Sequence, residues 1–507
     1  MNKKDVIFVS YIDSQKVYQD LSKNLTTIEP PTWSLLLAQS CRSQGFDVSI
    51  LDASAENLTL EEAAQRIIDI NARLICFVVY GQNVNSGTVN MIGAINLANK
   101  LKSLEVTTPI SFVGSYVQAL PKKALLDEPS IDIAFMNEGV YALWNLLSSD
   151  INLLNLEDIK GIAWRKNGQI VFNEPEQIVP NERMDLDLPG YAWDLLPYKE
   201  KPLDLYRAPY WHAEYIEENR SPYAAIQTSL GCQFGCSFCM INILNRNDNV
   251  EIGVASDYSK MRFWSPEFIF NEFKKLYDLG VKTIKITDEM FLLNKKYYEP
   301  LCQMIADSGM GNDFMMWAYS RVDTVRNPEI LKLVKSAGIK WLALGIESAS
   351  KTIRLEVAKG KFEDVDIETV VKQVEESGIQ VMANYIFGLP GDTVETMHET
   401  LEFSKKLNTC GWNAYPAIAL PGSKIYKDAF DKNVELPKSY EQFSFLGKKT
   451  LPVIHENLSR EQILNFRDNA FIEYHSNKNF QNKIVSLYGE KALNSINKML
   501  EVNLERE

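Results

Sequence analysis

The chain has 507 residues, of which 46% are hydrophobic and 23% are charged, and its formal net charge is −13. This composition indicates a globular protein of two or three domains rather than a disordered or fibrous chain. The acidic balance argues against nucleic acid as a partner, since a sequence-independent grip on phosphates needs a basic surface. No apolar run approaches the roughly 20 residues of a bilayer span, and no signal-peptide core follows the N-terminus, so we expect a cytoplasmic protein without a membrane partner.

Residues 1–150 alternate between strand-like and helix-like segments. Apolar, β-branched runs such as 6–11 and 74–80 are separated by helical patterns, and Thr59 with Glu62 forms a capping box before one helix. Strands that are apolar on both faces and alternate with helices predict an α/β domain with a doubly wound, Rossmann-like parallel sheet. Ligands of such sheets bind beyond the carboxyl ends of the strands.

Residues 151–219 differ in character and are interpreted as a linker. Two short apolar segments flank Asn167-Gly168, a dipeptide typical of a type I′ β-hairpin. The stretch 189–209 is rich in proline and aromatic residues and has no periodicity. We therefore expect an ordered connection that carries one hairpin.

A second alternating series occupies residues 220–430 and contains six strand–helix units. Six such units predict a partial (β/α)6 barrel of the TIM type, with chemistry at the carboxyl ends of its strands. Residues 431–507 are helical in pattern, and Phe466, Phe471 and Tyr474 are expected to face the barrel. The six predicted barrel strands are 224–228, 283–287, 315–319, 341–345, 381–387 and 414–420.

Three of the seven cysteines stand within eight residues of each other, directly after the first predicted barrel strand. Cys232, Cys236 and Cys239 form a C-x3-C-x2-C loop, whereas the other four are scattered and are interpreted as buried thiols. Three thiolates can hold three irons of a 4Fe–4S cluster and leave the fourth iron open. Structural zinc is the weaker alternative, because it wants a fourth ligand and the nearest histidine is His212.

This cysteine loop resembles the signature of the radical S-adenosylmethionine superfamily, and the resemblance extends over residues 221–426. It implies that the open iron binds the amino and carboxylate groups of S-adenosylmethionine, whose reductive cleavage yields a carbon radical. For three of the residues implied to contact S-adenosylmethionine, a structural role is the alternative. These roles are a helix N-cap for Asp288, an ion pair for Arg321 and a turn at Gly388. The residues implied to contact S-adenosylmethionine are Phe238, Asp288, Glu289, Ser320, Arg321, Glu347, Ser348 and Gly388.

A doubly wound domain ahead of such a barrel resembles the cobalamin-binding domain of the cobalamin-dependent radical enzymes. The alternative is a domain that is empty or binds another ligand, although no G-x-G-x-x-G follows the first strand to indicate a dinucleotide. The first histidine is His212, so the domain cannot supply a histidine to the lower face of cobalt. Residues 80–83 or a water are expected there, and weak axial ligation would favour methyl transfer. The residues implied to contact cobalamin are Tyr80, Gln82, Asn83, Gly114, Ser115, Tyr116, Glu138 and Gly139.

The resemblance as a whole implies a cobalamin-dependent radical methyltransferase that acts on an unactivated carbon of a small molecule, sugar or natural product. An electron donor such as flavodoxin or ferredoxin is implied as its partner. The alternatives are an enzyme that rearranges, cyclises or oxidises its substrate, and a cluster and cobalamin redox sensor. A transfer-RNA-modifying enzyme is disfavoured by the acidic balance. Substrate contact or plain packing is expected of Tyr206, Arg207, Trp211, His212 and Trp264.

Overall fold

Two mainly parallel β-sheets, one in each half of the chain, organise the fold. A computed structural model describes residues 3–23, 25–81, 84–200, 205–207, 220–357, 365–454 and 456–507. The strands of the first sheet are β1 (Lys4–Ser10), β2 (Val48–Asp52), β3 (Ala72–Val79), β4 (Ile110–Gly114), β5 (Ile133–Phe135), β6 (Ile162–Lys166) and β7 (Gln169–Phe172). The remaining strands are β8 (Tyr223–Ile226), β9 (Ser229–Cys232), β10 (Lys260–Phe263), β11 (Thr283–Ile286), β12 (Met315–Arg321), β13 (Ile339–Glu347), β14 (Gln380–Phe387) and β15 (Gly411–Pro416).

Helices cover both sheets and form the C-terminal region. The helices of the first half are α1 (Ser14–Tyr18), α2 (Thr32–Ser43), α3 (Leu60–Ile70), α4 (Met91–Ser103), α5 (Ser115–Ala119), α6 (Pro121–Asp127), α7 (Val140–Ser148) and α8 (Met184–Asp187). The later helices are α9 (Pro266–Asp278), α10 (Lys295–Asp307), α11 (Pro328–Ser336), α12 (Lys351–Val357), α13 (Ile367–Glu376), α14 (Val394–Leu407), α15 (Lys424–Asp431), α16 (Arg460–His475), α17 (Lys478–Tyr488) and α18 (Glu490–Leu500).

The first sheet has the strand order β2-β1-β3-β4-β5-β6-β7, and β1 to β5 are parallel. The doubly wound fold is thereby confirmed, as is the capping box of Thr59 and Glu62 at the start of α3. The predicted hairpin is also present, and both Asn167 and Gly168 have the positive φ that a type I′ turn requires. Its strands do not stand apart in a linker, because β6 pairs antiparallel with β5 and extends the sheet.

The second sheet is a curled parallel sheet with the order β15-β14-β13-β12-β11-β8. Between the described strands, no pairing joins β15 to β8, so the barrel is open along this side. The last strand ends at Pro416 and not at residue 420 as expected, because proline has no N–H to continue the ladder. The apolar residues 417–420 are instead buried in the loop beyond it.

The C-terminal helix α16 covers the outer end of this barrel, as the sequence predicts. Tyr474 stacks on Trp412 with ring centroids 5.2 Å apart, and Phe466 contacts Phe387 edge-on at 5.0 Å. These contacts bury the aromatic face of the helix. No helix in the described ranges combines enough length and apolar character to cross a bilayer.

A buried ion pair joins the two halves of the chain. Arg262 on β10 donates to Glu138 at 2.6 Å, and these side chains are 0% and 1% exposed. The other Glu138 oxygen accepts from the Val179 backbone N–H at 2.5 Å. Arg262 also donates to the Val179 carbonyl and to the Asn245 side chain, each at 2.8 Å. Glu138, which was expected to contact cobalamin, thus has both carboxylate oxygens bonded within the protein.

Candidate functional site

The three clustered cysteines lie on the loop that leaves the first barrel strand. Cys232 ends β9, and its backbone N–H donates to the Asn242 side chain at 2.7 Å. Gly231 before it has φ +79°, and a Cβ there would lie 2.2 Å from the Lys260 carbonyl oxygen. Only glycine allows this close approach of β9 to β10. The backbone thereby fixes the position of Cys232, the first cysteine of the loop.

Asp288 supports this loop from below. Its carboxylate accepts from the Thr228 backbone N–H at 2.6 Å, from the Thr228 hydroxyl at 2.7 Å and from the Ser229 hydroxyl at 2.5 Å. It starts no helix, so the N-cap interpretation is wrong. Burial raises its pKa to about 6, and the three hydrogen bonds oppose that rise. A structural role for Asp288 is what these contacts establish.

A cavity of about 210 Å³, here called the cysteine cavity, opens above the loop. It lies at the carboxyl ends of the barrel strands, where ligands of such barrels bind. All three cysteines line it together with five of the eight residues expected to contact S-adenosylmethionine. These eight residues, which are part of the lining, are Cys232, Cys236, Cys239, Phe238, Glu289, Ser320, Arg321 and Glu347.

Two half-buried carboxyl groups and one buried guanidinium face this cavity. Burial raises the pKa of Glu289 to about 7 and that of Glu347 to about 8, and each is opposed in part by a cation. Arg321 is the cation that lowers the Glu347 pKa, and its guanidinium lies 4.1 Å from the centroid of the Phe234 ring. It also pairs with Asp323 at 3.0 Å, as the ion-pair interpretation expected. The cavity therefore offers groups of both signs to a zwitterion.

Glu347 reaches the cavity through an unusual backbone conformation. Its φ is +64°, in the left-handed region that residues other than glycine rarely adopt. A Cβ on Gly345 would lie 2.7 Å from a Glu347 carboxylate oxygen, so the glycine leaves room for the side chain. The end of β13 is thus shaped around this one carboxyl group.

Two of the remaining expected residues lie away from the cavity lining. Ser348 is buried, and its hydroxyl lies 3.3 Å from that of Thr400. Gly388 donates its N–H to Asp392 at 3.0 Å, and a Cβ there would lie 2.6 Å from the Ile463 side chain. These contacts give Gly388 the turn geometry that was the alternative interpretation. The roles of both residues toward S-adenosylmethionine stay predictions.

The three thiols of the loop are the residues that would hold a 4Fe–4S cluster. Burial raises the pKa of Cys232 to about 11 and of Cys236 to about 12, and metal binding would favour the thiolate form of both. Within the described part of the chain, no three His, Cys, Asp or Glu side chains converge as a single metal ion requires. In a 4Fe–4S cluster each thiolate binds a different iron, so such convergence is not needed.

Asn85, from the N-terminal half, also lines the cysteine cavity and was not singled out from the sequence. Its side-chain N–H donates to Cys239 Sγ at 3.8 Å, and its side-chain oxygen accepts from the Met240 N–H at 3.1 Å. A lone asparagine in a polar loop carries no local signal of such a contact. Only the folded structure brings it to the cysteine loop.

The loop after β3 holds three of the residues expected to contact cobalamin. The Tyr80 hydroxyl accepts from the Gln118 side chain at 2.5 Å, and the Tyr80 carbonyl accepts from Asn90 at 2.9 Å. Gln82 and Asn83 lie outside the described residues. Their contacts therefore stay predictions.

The turn after β4 is built for close approach. Gly114 has φ +156°, and a Cβ there would lie 2.1 Å from the Val79 carbonyl oxygen. Ser115 is fully buried, and its hydroxyl oxygen has no hydrogen-bond partner among the described residues. Tyr116 packs edge-on against Tyr440 at 5.0 Å. A buried hydroxyl without a partner fits a site that a polar ligand completes.

The turn after β5 supplies Gly139, the last of the residues expected at cobalamin. Its φ is +85°, and its N–H donates to the Asn137 side chain at 3.0 Å. This geometry starts α7 immediately afterwards. Gly139 thus has a clear backbone role, and its contact with cobalamin stays a prediction.

A second cavity of about 630 Å³, here called the N-terminal cavity, lies at the carboxyl ends of β1, β2 and β3. Tyr80 and Asp52 line it. This is the edge at which doubly wound sheets bind ligands. Its place and its size fit part of a large polar cofactor such as cobalamin.

A third cavity of about 320 Å³, here called the central chamber, lies between the other two. It shares Tyr319, Asn413, Tyr415 and Phe445 with the cysteine cavity. It shares Tyr18, Thr26, Thr27 and Glu29 with the N-terminal cavity. The three cavities are therefore contiguous through common walls.

Five residues were expected to contact substrate or to pack, and those that the structure describes have partners within the protein. The Tyr206 hydroxyl donates to Asp52 at 3.1 Å, and the Trp264 ring N–H donates to the Leu188 carbonyl at 2.7 Å. Arg207 lines the N-terminal cavity, and its backbone pairs with that of Ile28. Trp211 and His212 lie outside the described residues.

Comparison with protein families supports two functional domains. Residues 19–147 match the B12 binding domain, and residues 226–404 match the radical SAM superfamily. The chain is 26% identical over 451 residues to an uncharacterized methyltransferase of Pyrococcus horikoshii, covering 89% of this chain and 88% of the relative. It is 22% identical over 465 residues to the anaerobic magnesium-protoporphyrin IX monomethyl ester cyclase of Cereibacter sphaeroides, covering 89% and 67%.

Solved structures share the fold at low identity. The radical S-adenosylmethionine methyltransferase TsrM of Kitasatospora setae aligns with a TM-score of 0.62 and 17% identity, covering 86% of this chain and 80% of that one. The cobalamin-dependent S-adenosylmethionine radical enzyme OxsB aligns with a TM-score of 0.66 and 14% identity, covering 98% and 72%. The chain therefore combines a B12 binding domain at residues 19–147 with a radical SAM domain at residues 226–404, as an enzyme whose cofactors are a 4Fe–4S cluster, S-adenosylmethionine and cobalamin.

Proposed function

We propose that this enzyme is a methyltransferase that places a methyl group on an unactivated carbon of a small molecule or natural product. The observation that supports this most is the central chamber. A carbon that first loses hydrogen to a radical and then takes a methyl group from cobalt must be within reach of both cofactors. The chamber shares lining residues with the cysteine cavity and with the N-terminal cavity, which supports it as the place of the substrate.

In the cysteine cavity, the residues of the chain would orient S-adenosylmethionine. Glu289 and Glu347 offer carboxylates to its ammonium group, and Arg321 offers a cation to its carboxylate. Phe238 would pack beside the adenine. When bound, the reduced cluster and methylcobalamin supply radical formation and the methyl group, and the protein supplies orientation and exclusion of water.

The names of several relatives support methyl transfer. The relative from Pyrococcus horikoshii is named a methyltransferase, and so is the structural neighbour TsrM. The second candidate is a radical reaction without methylation, favoured by the similarity to a monomethyl ester cyclase. The third candidate is a cluster and cobalamin redox sensor. The electron would come from a donor such as flavodoxin or ferredoxin in the reducing cytoplasm.

The test does not require the substrate. The enzyme, loaded with cluster and cob(I)alamin, is incubated anaerobically with S-adenosylmethionine, and the products are measured by mass spectrometry. A methyltransferase should form S-adenosylhomocysteine together with an equal amount of methylcobalamin. Formation of 5′-deoxyadenosine without S-adenosylhomocysteine under strong reduction would contradict methyl transfer and favour the second candidate. Absence of both products would contradict both enzymatic candidates and favour the redox sensor.

A further inference from the structure

We infer that the central chamber binds an uncharged, apolar ring system of the substrate, an inference that rests on the proposed place of the substrate in that chamber. Seven aromatic side chains are among the residues that line the chamber. Flat aromatic side chains provide large apolar surfaces that stack on rings of a ligand. The aromatic residues that line the chamber are Tyr18, Trp317, Tyr319, Trp412, Tyr415, Phe445 and Phe471.

The charged side chains of the chamber neutralise each other. Lys285 pairs with Glu29 at 2.7 Å, and these side chains are only 4% and 9% exposed. Arg467 pairs with Asp468 at 2.9 Å, and Asp468 also accepts from Arg506 at 2.9 Å. Every charged residue described in the chamber lining therefore faces an opposite charge.

These pairs decide which ligand the chamber favours. The Lys285 ammonium is also held over the Trp317 and Tyr319 rings, 5.1 and 5.5 Å from their centroids. A phosphate, sulfonate or carboxylate would have to displace Glu29 from Lys285, leaving one buried charge without its partner. Such an uncompensated charge is costly in a low-dielectric interior. An uncharged ring needs no such exchange.

The experiment uses two probes with the same ring system. N-phenyl-1-naphthylamine is uncharged, and 1-anilinonaphthalene-8-sulfonate carries one negative charge. Their binding to the enzyme loaded with cluster and cobalamin is measured by equilibrium dialysis, so that cofactor absorbance does not interfere. We expect the uncharged probe to bind at least about tenfold more tightly, because the sulfonate cannot be neutralised in the chamber.

Two variants link the binding to the chamber. Val89→Trp fills part of the chamber and should weaken binding of the uncharged probe, while corrin and cluster absorbance report that the protein still folds. Glu29→Gln leaves Lys285 without its carboxylate partner and should strengthen binding of the sulfonate probe. Equal or tighter binding of the sulfonate probe to the natural chain would overturn the inference, as would probe binding that neither variant alters. A failure to form S-adenosylhomocysteine would affect only the proposed methyl transfer.

A separate contact carries a second inference. The geometry points to Asn85 as a positioning residue through which the B12 binding domain tunes the cluster. It donates to Cys239 Sγ at 3.8 Å and accepts from the backbone N–H of Met240 at 3.1 Å. A hydrogen bond to a cysteine sulfur stabilises the reduced, more negative cluster and so raises its reduction potential.

The test is a redox titration of the cluster followed by EPR, since a purely structural residue would not move the potential. Asn85→Leu removes the donor without adding charge and should make the midpoint potential more negative. Asn85→Asp keeps an acceptor for the Met240 N–H but removes the donor, and it should also make the midpoint potential more negative. This second variant provides the measurement if the leucine variant loses its cluster. Asn90→Ala is the matched control, because Asn90 donates to the Tyr80 carbonyl and not to sulfur. A potential unchanged in the Asn85 variants, or shifted equally in the control, would overturn the assignment.

Discussion

The buried pair of Glu138 and Arg262 allows the sharpest test of how the two domains are held together. Glu138→Gln keeps the shape of the side chain and removes its charge. One amide oxygen can still accept from Arg262, but the amide NH2 then faces the Val179 N–H, which lost its acceptor. Arg262 is fully buried, so its charge has no solvent to compensate it. Breaking a buried pair by removing one partner costs about 3–5 kcal/mol.

The measurement is urea unfolding, with the free energy taken from the midpoint and the slope. Glu329→Gln is the matched control, because Glu329 pairs with Lys332 at 2.8 Å on the surface, with the side chains 77% and 71% exposed. That control should cost less than about 1 kcal/mol. The double variant Glu138→Gln with Arg262→Met should recover stability, because no buried charge remains. If Glu138→Gln cost no more than the control, the claim that this pair joins the domains would be refuted.

Three further predictions concern the cluster loop and the C-terminal helix. Cys236→Ala should abolish cluster absorbance and 5′-deoxyadenosine formation, whereas Cys302→Ala, in the buried face of α10, should retain both; the opposite pattern would contradict the assigned ligands. Asp288→Ala should lower the iron content after reconstitution, because the loop loses three hydrogen bonds. Glu289→Gln should keep its iron and weaken S-adenosylmethionine binding. Equal iron loss in both variants would contradict a structural role for Asp288 beside a binding role for Glu289. Burial lowers the pKa of His475 from 6.5 to about 4, so the stability that neutral His475 confers is full above about pH 6.5 and is lost as the pH falls through 4. His475→Phe should lose less stability over that interval in urea unfolding, and an unchanged pH dependence would exclude this cause.

Much of the fold could be predicted because its signals are local. Strands buried on both faces read as continuous apolar runs, and the turn residues Asn167 and Gly168 identify their hairpin directly. The sequence does not say which sheet edge that hairpin joins, because edge pairing depends on contacts distant in the chain. The end of β15 was misplaced for a related reason: an apolar run continues past Pro416 although hydrogen bonding stops there.

The candidate site divides in the same way. The cysteine spacing and the carboxyls at strand ends are local patterns, and Glu289 and Glu347 do line the cysteine cavity. The sequence does not show that Thr228 and Ser229 donate to the Asp288 carboxylate, and the expected contact of Asp288 with S-adenosylmethionine stays a prediction. The sequence does not show the central chamber, because segments from both ends of the chain and from the barrel form its walls.

The left-handed backbone of Glu347 sets stability against activity at one position. That conformation costs a residue other than glycine about 1–2 kcal/mol, so Glu347→Gly would relieve the strain and increase the free energy of unfolding. The same change would remove a carboxyl group from the cavity of the cysteines. Screens that reward thermal resilience alone would therefore select glycine here and return catalytically impaired variants, and engineering of this enzyme should hold the position fixed.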